Sequence, residues 1–248
     1  QPSSRSVGSM TAAYERGGRV VSLHAPGQIV ILNGTPRAGK SSIVSAIQDW
    51  SGAAGEDRSG EGGSGEVWLN LGVDRFKAMT PARYQPGIGL RPGGERPDLE
   101  PVIERLYAGM YDAIAAHSRL GLNVVVDAVH HDDYSVPRGI TADCARRLRG
   151  LPVLFVGVRC PLDEVMRRRQ ATWRTGYAED GSVPPPVLRW QHAVHDKWTY
   201  DLEVDTSRQT PRECAEVIRA RLEAGPPGSA FFRVGGVDGR GSSFDALT

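Results

Sequence analysis

Residues 29–43 read Ile29-Val30-Ile31-Leu32-Asn33-Gly34-Thr35-Pro36-Arg37-Ala38-Gly39-Lys40-Ser41-Ser42-Ile43. Four apolar residues in a row suit a strand buried on both faces, because a half-exposed strand would alternate apolar with polar. The run ends at Gly34, and Gly34 to Ser41 is a complete G-x-x-x-x-G-K-[ST]. Small residues there let successive backbone N–H groups wrap phosphate oxygens at the positive end of a helix. Lys40 would neutralise the β and γ phosphates, and the Ser41 hydroxyl would hold Mg²⁺. Strand, turn and helix in this register predict a nucleoside triphosphate site made by Gly34, Thr35, Pro36, Arg37, Ala38, Gly39, Lys40, Ser41 and Ser42.

Outward from this stretch, short β-rich runs alternate with longer helical ones. Strands are predicted at 28–33, 67–71, 122–127, 153–158 and 202–204, and helices at 40–49, 98–119, 139–149, 161–173, 186–196 and 210–223. That alternation predicts an α/β, three-layer P-loop NTPase/kinase fold, with a central five-stranded parallel sheet of order 2-3-1-4-5 flanked by helices. Thr210-Pro211-Arg212-Glu213 reads as a capping box with proline at the first helical position. The fold domain is expected over 25–224, after a flexible leader at 1–24 and before a flexible Gly-rich tail at 225–248. Phe231 and Phe232 are the exception in that tail, an aromatic pair suited to docking on a neighbouring surface. Residues 51–66, almost devoid of apolar side chains, predict a surface loop. Residues 80–97, rich in Gly and Pro yet carrying Tyr84, Ile88 and Leu90, predict an irregular substrate wall.

Composition excludes several classes. Lys and Arg total 30 against 29 Asp and Glu, which gives no reason to expect nucleic acid as the main partner. No apolar run reaches the length of a membrane span, and the N-terminus lacks a secretory h-region. The three cysteines, Cys144, Cys160 and Cys214, lack C-x-x-C spacing and read as reduced, buried thiols, consistent with a cytoplasmic protein. A homo-oligomer is left open.

Candidate chemistry lies beyond the strand ends, where open α/β sheets bind ligands. Asp74 follows the second strand and is either a general base facing an acceptor hydroxyl or a helix cap. Asp127 closes the third strand, either on the Mg²⁺, directly or through water, or in a turn. His130, His131, Asp132 and Asp133 read as a solvent-exposed loop. Arg167, Arg168, Arg169 and Arg174 predict a lid spanning about 167–186, in which Arg168 and Arg174 stabilise transferring charge and Arg169 binds nucleotide. Thr206 is expected near the adenine, and Phe76, Tyr84, Asp127 and Val129 beside the acceptor.

Taken together, Ile29–Ile43, Leu71–Asp74 (LGVD), Val124–Val129 (VVVDAV), Val153–Cys160 (VLFVGVRC) and Tyr200–Thr206 (YDLEVDT) resemble the chloramphenicol phosphotransferases in order and spacing. The resemblance implies ATP as phosphate donor, Mg²⁺, and Asp74 as the base for a primary hydroxyl. This chain departs from the family pattern at the lid and at 80–97 and 128–137, where acceptor contacts would fall. The expected function is therefore ATP-dependent phosphorylation of a hydroxyl on chloramphenicol or another antibiotic. A kinase of a metabolite or nucleotide sugar, shikimate-kinase-like or zeta-toxin-like, is the alternative, and a nucleotide-binding regulatory module without transfer is the reading from another class.

Overall fold

The computed structural model describes residues 13–16, 19–22, 25–51, 67–174 and 176–236. In chain order these form β1 (Ala13–Arg16), β2 (Arg19–Ser22), β3 (Ile29–Asn33), α1 (Lys40–Gln48), β4 (Trp68–Asn70), α2 (Val73–Ala78), α3 (Glu100–Arg119), β5 (Asn123–Ala128), α4 (Ile140–Arg147), β6 (Val153–Arg159), α5 (Leu162–Trp173), α6 (Pro185–His195), β7 (Leu202–Asp205), α7 (Pro211–Ala224) and α8 (Ala230–Val234). β1 and β2 pair antiparallel within the expected leader. The other strands form one parallel sheet ordered β4-β5-β3-β6-β7. Counted from β3, this is the expected 2-3-1-4-5.

β3 is central because every one of its residues is buried. Alternation of side chains across the pleat divides the core into two layers. Ile29, Ile31, Val124, Val126, Val153 and Phe155 face α3, α4 and α8. Val30, Leu32, Val125, Leu154, Val156 and Val158 face α1, α5 and α7. Full burial of each such aliphatic side chain stabilises by roughly 1.5–3 kcal/mol, which makes the continuous apolar runs the framework of the domain. The carboxyl ends of all five strands consequently open on one edge.

The tail departs from expectation. Residues 225–236 are not a flexible extension: α8 packs against the sheet, with Phe231 fully buried and Phe232 2% exposed. Phe231 stacks on Tyr111 at 5.8 Å between ring centroids and meets Phe155 edge-on at 5.1 Å. Asp201 fixes the approach by accepting the backbone N–H groups of Ser229 and Ala230 at 2.8 and 2.9 Å, and that of Phe155 at 3.0 Å. A five-residue helix is too short to show periodicity, so composition alone reads as tail. Residues 237–248, and 52–66 of the first insertion, lie outside the described residues. The capping box of α7 is present, with Thr210 Oγ1 accepting from Glu213 N–H and the Glu213 carboxylate accepting from Thr210 N–H. No helix among the described residues is long and apolar enough to cross a membrane.

Candidate active site

At the open edge the strand β3 turns into α1 through the glycine loop. Gly39 has φ +93°, a left-handed conformation that glycine adopts without penalty, and Arg37 shares that region at φ 71°. Lys40 is 5% exposed and its Nζ donates to the Gly34 and Thr35 carbonyls at 2.8 and 2.9 Å, curling the loop around its own ammonium. Burial lowers the Lys40 pKa, with Asp127 and Asp74 pulling the other way. Asp127 Oδ1 lies 3.7 Å from Lys40 Nζ, and Ser41 Oγ donates to Asp127 Oδ2 at 2.7 Å. Two hard oxygens converging beside the buried ammonium suit Mg²⁺, which commonly takes one or two protein oxygens and completes its shell with water and phosphate. The turn reading of Asp127 gives way to this position.

Gly72 lets the neighbouring strand approach, because a Cβ there would lie 2.9 Å from Asp127 Cβ. It also serves as the N-cap of α2, with no side-chain cap bond, so Asp74 in the first turn is not the cap that one sequence reading allowed. Asp74 is exposed into a cleft of about 1050 Å³ shared with Arg37, Lys40, Ser41 and Asp127. Its carboxylate forms no hydrogen bond or ion pair among the described residues, while its charge is felt by Arg37 and Lys40.

The four arginines separate. Arg167 is exposed and pairs with Glu164, and with Arg168 it holds the Glu164 carboxyl down to about 2. Arg168 lines the cleft, yet its guanidinium is engaged: Nε donates to Glu164 at 2.7 Å, Nη1 to Thr206 Oγ1 at 3.0 Å and Nη2 to the Thr206 carbonyl at 2.8 Å. Thr206 Oγ1 in turn donates to the Ala38 carbonyl at 2.7 Å. Arg168 and Thr206 thus brace the glycine loop while Arg168 also lines the cleft. Arg169 reaches the cleft, where burial and the charges of Arg91 and Arg37 lower its pKa. Arg174 ends α5 in a left-handed turn, exposed and outside the cleft lining. Among the acceptor candidates, Val129 lines the cleft, whereas Phe76 and Tyr84 pack on the core.

The predicted solvent-exposed loop at 130–133 is instead buried through its histidines. His130 is 1% exposed; Tyr111 Oη, whose proton burial retains, donates to its ring Nε2, and the His130 backbone N–H donates to Asn33 Oδ1 at 2.6 Å. His131, 2% exposed, donates Nε2–H to the Leu90 carbonyl at 3.1 Å and accepts Asp133 N–H at Nδ1. The two ring bonds of His131 complete a neutral imidazole. Gly93 N–H also donates to the Asp133 carbonyl at 3.0 Å, so the segments 80–97 and 128–137 form one wall. That wall is less irregular than expected: residues 82–84 and 87–89 are 3-10 turns, with Ile88 and Leu90 buried. Sequence reasoning missed Lys77 and Arg91 in the cleft lining. The i,i+3 spacing of Asp74 and Lys77 was the available signal for Lys77.

Burial pushes His130 down to about 3 and His195 down to about 4. Below an unfolded pKa of about 6.5 the unfolded chain binds protons that the folded chain refuses, so stability falls as pH falls through this window. The two histidines together are expected to cost about 2 kcal/mol between pH of about 6.5 and 5.5. Urea unfolding at the two pH values measures it, and His195→Asn should remove about one proton from the slope.

A chloramphenicol phosphotransferase-like protein family model matches residues 27–223. The chain belongs to the chloramphenicol phosphotransferase-like family. A protein of Mycobacterium tuberculosis (strain H37Rv), named by inference an O-phosphotransferase, is 27% identical over 228 residues, covering 84% of this chain and 88% of the relative. Among solved structures, a sugar kinase from Janibacter sp. HTCC2649 superposes with TM-score 0.51 at 17% identity, over 81% of this chain and 97% of the other. The Mycobacterium tuberculosis APS kinase CysC, in complex with AMPPNP and APS, gives TM-score 0.50 at 16% identity, over 80% and 98%. These likenesses establish the P-loop kinase fold, and the family makes the chain a P-loop O-phosphotransferase in kind.

Proposed function

We propose that the protein transfers the γ-phosphoryl group of ATP to a hydroxyl of a small molecule. The observation that carries this reading is an unpartnered carboxylate, Asp74, in the same cleft as the phosphate loop and the Ser41–Asp127 pair. Asp74 would accept the proton as the acceptor oxygen bonds to the γ phosphorus, while the bond from that phosphorus to the β–γ bridging oxygen breaks and ADP leaves. Lys40, Arg37 and Arg169 would carry the charge that spreads over the phosphoryl oxygens. Mg²⁺, held on the Ser41 and Asp127 oxygens, would add charge neutralisation at the phosphates. Arg168 and Thr206 would hold the loop in shape. Family membership makes chloramphenicol and related antibiotics the reference acceptors. A cytoplasmic location and a small-molecule partner belong to the same reading. The test is incubation with ATP, Mg²⁺ and a panel of hydroxylated antibiotics and cell extracts, followed by mass spectrometry for a product heavier by one phosphoryl group. Absence of any phosphorylated product across panel and extracts, with ATP bound, would favour a regulatory nucleotide-binding module instead.

A further inference from the structure

The cleft that holds Asp74 also carries two cations, Lys77 and Arg91, to which the phosphotransferase reading gives no task. Lys77 follows Asp74 by three residues on α2, so both project from one face, one turn apart, about 5 Å along the axis. Its stem lies along Gly89, where a Cβ would meet Lys77 Cδ at 3.6 Å and Nζ at 3.9 Å. Its carbonyl is tied down by Thr80 N–H and Gln85 Nε2, each at 3.0 Å. Arg91 projects from the facing wall, between two buried anchors, Leu90 and Pro92, with the Leu90 carbonyl held by His131. Both line the cleft with Asp74.

Nearby acidic groups are committed elsewhere. Glu95 pairs with Arg189, Asp98 with Arg96, and Asp127 with Ser41 and Lys40. Among the described residues Lys77 and Arg91 have no ion-pair partner, and Arg91 is close enough to Arg169 for their charges to repel. Two unpaired cations on anchored backbone, beside the apolar surface of Val129, Val187 and Trp190, are arranged for an anion supplied from outside.

We infer that the acceptor is a hydroxylated small molecule bearing an anionic group, a carboxylate or a phosphate, about one helical turn from the hydroxyl that is phosphorylated. Lys77 and Arg91 bind that group while Asp74 faces the hydroxyl. This rests on the phosphotransferase reading and deepens it, because it places net-neutral compounds such as chloramphenicol behind anionic acceptors.

The test uses the full chain loaded with a non-transferable ATP analogue. Its probes are ω-hydroxycarboxylates from glycolate to 6-hydroxyhexanoate with their amides, glycerol 3-phosphate with glycerol, and chloramphenicol. Calorimetry is expected to show an anionic probe bound about tenfold or more tighter than its neutral partner, with an optimum at intermediate chain length. The carboxylate and phosphate pairs separate the two sources of charge. Lys77→Met and Arg91→Met should each shrink the preference for the anionic probe by more than they change affinity for the ATP analogue. Equal affinity for charged and neutral partners, a preference for chloramphenicol, no binding of any anionic probe, or an unchanged preference in the double variant overturns the inference. The same probes with ATP test the reading beneath it: anionic binding without a phosphorylated product would sink phosphoryl transfer and leave the charge assignment standing.

Discussion

Asp74→Asn is expected to lower kcat by about two to four orders of magnitude while leaving the affinity for ATP nearly unchanged. Asparagine keeps the size and polarity of the side chain but cannot accept the hydroxyl proton. The residue makes no hydrogen bond that the substitution would break, and it does not cap α2. A folding defect is therefore not the expected route to lost activity. Steady-state kinetics on the best acceptor found, with nucleotide binding measured separately, checks it. Retention of most of the wild-type kcat would remove Asp74 from the chemistry and move the base elsewhere in the cleft.

Phe231→Ala should destabilise the fold by about 3–5 kcal/mol. For a domain of this size that lowers Tm by roughly 6–20 °C. The ring is fully buried and touches three others, Tyr111, His130 and Phe155. Deleting it opens a cavity beneath the loop that carries Val129 into the cleft. Phe231→Leu, which keeps most of the volume, should cost less. Thermal unfolding of both variants is the measurement, and a Tm within a degree or two of wild type for Phe231→Ala would mean that α8 does not cover the core in solution.

The parts legible in the sequence are those where local chemistry decides. The runs Ile29–Leu32 and Val124–Val126 are apolar at every position, which only a doubly covered strand tolerates, and the structure centres them. The glycine loop needs its residue types at fixed spacing, which marks Lys40 and Ser41 at the start of α1, whereas their meeting with Asp127 is a contact across the sheet that no local spacing encodes. His130 and His131 were illegible because their partners, Asn33, Tyr111 and Leu90, are distant in sequence, and a polar run looks exposed until those partners are known. Arg168 shows the same limit. Its position on α5 was predictable, but only Thr206 and Glu164 reveal that its guanidinium is already spoken for. Arg91 lay in a segment read as a wall, in which the apolar Tyr84, Ile88 and Leu90 stood out and Arg91 did not, since nothing local distinguishes it from a solvated arginine.

The joining of 80–97 to 128–137 through His131, Leu90, Gly93 and Asp133 bears on how acceptor choice can change between relatives. Swapping one segment alone would strand an imidazole or a carbonyl in the interior without its mate, at a cost of about 1–3 kcal/mol for each buried group left unpaired. Specificity in this lineage should therefore be inherited as a pair of loops, and a chimera carrying both from one parent should outperform either single exchange.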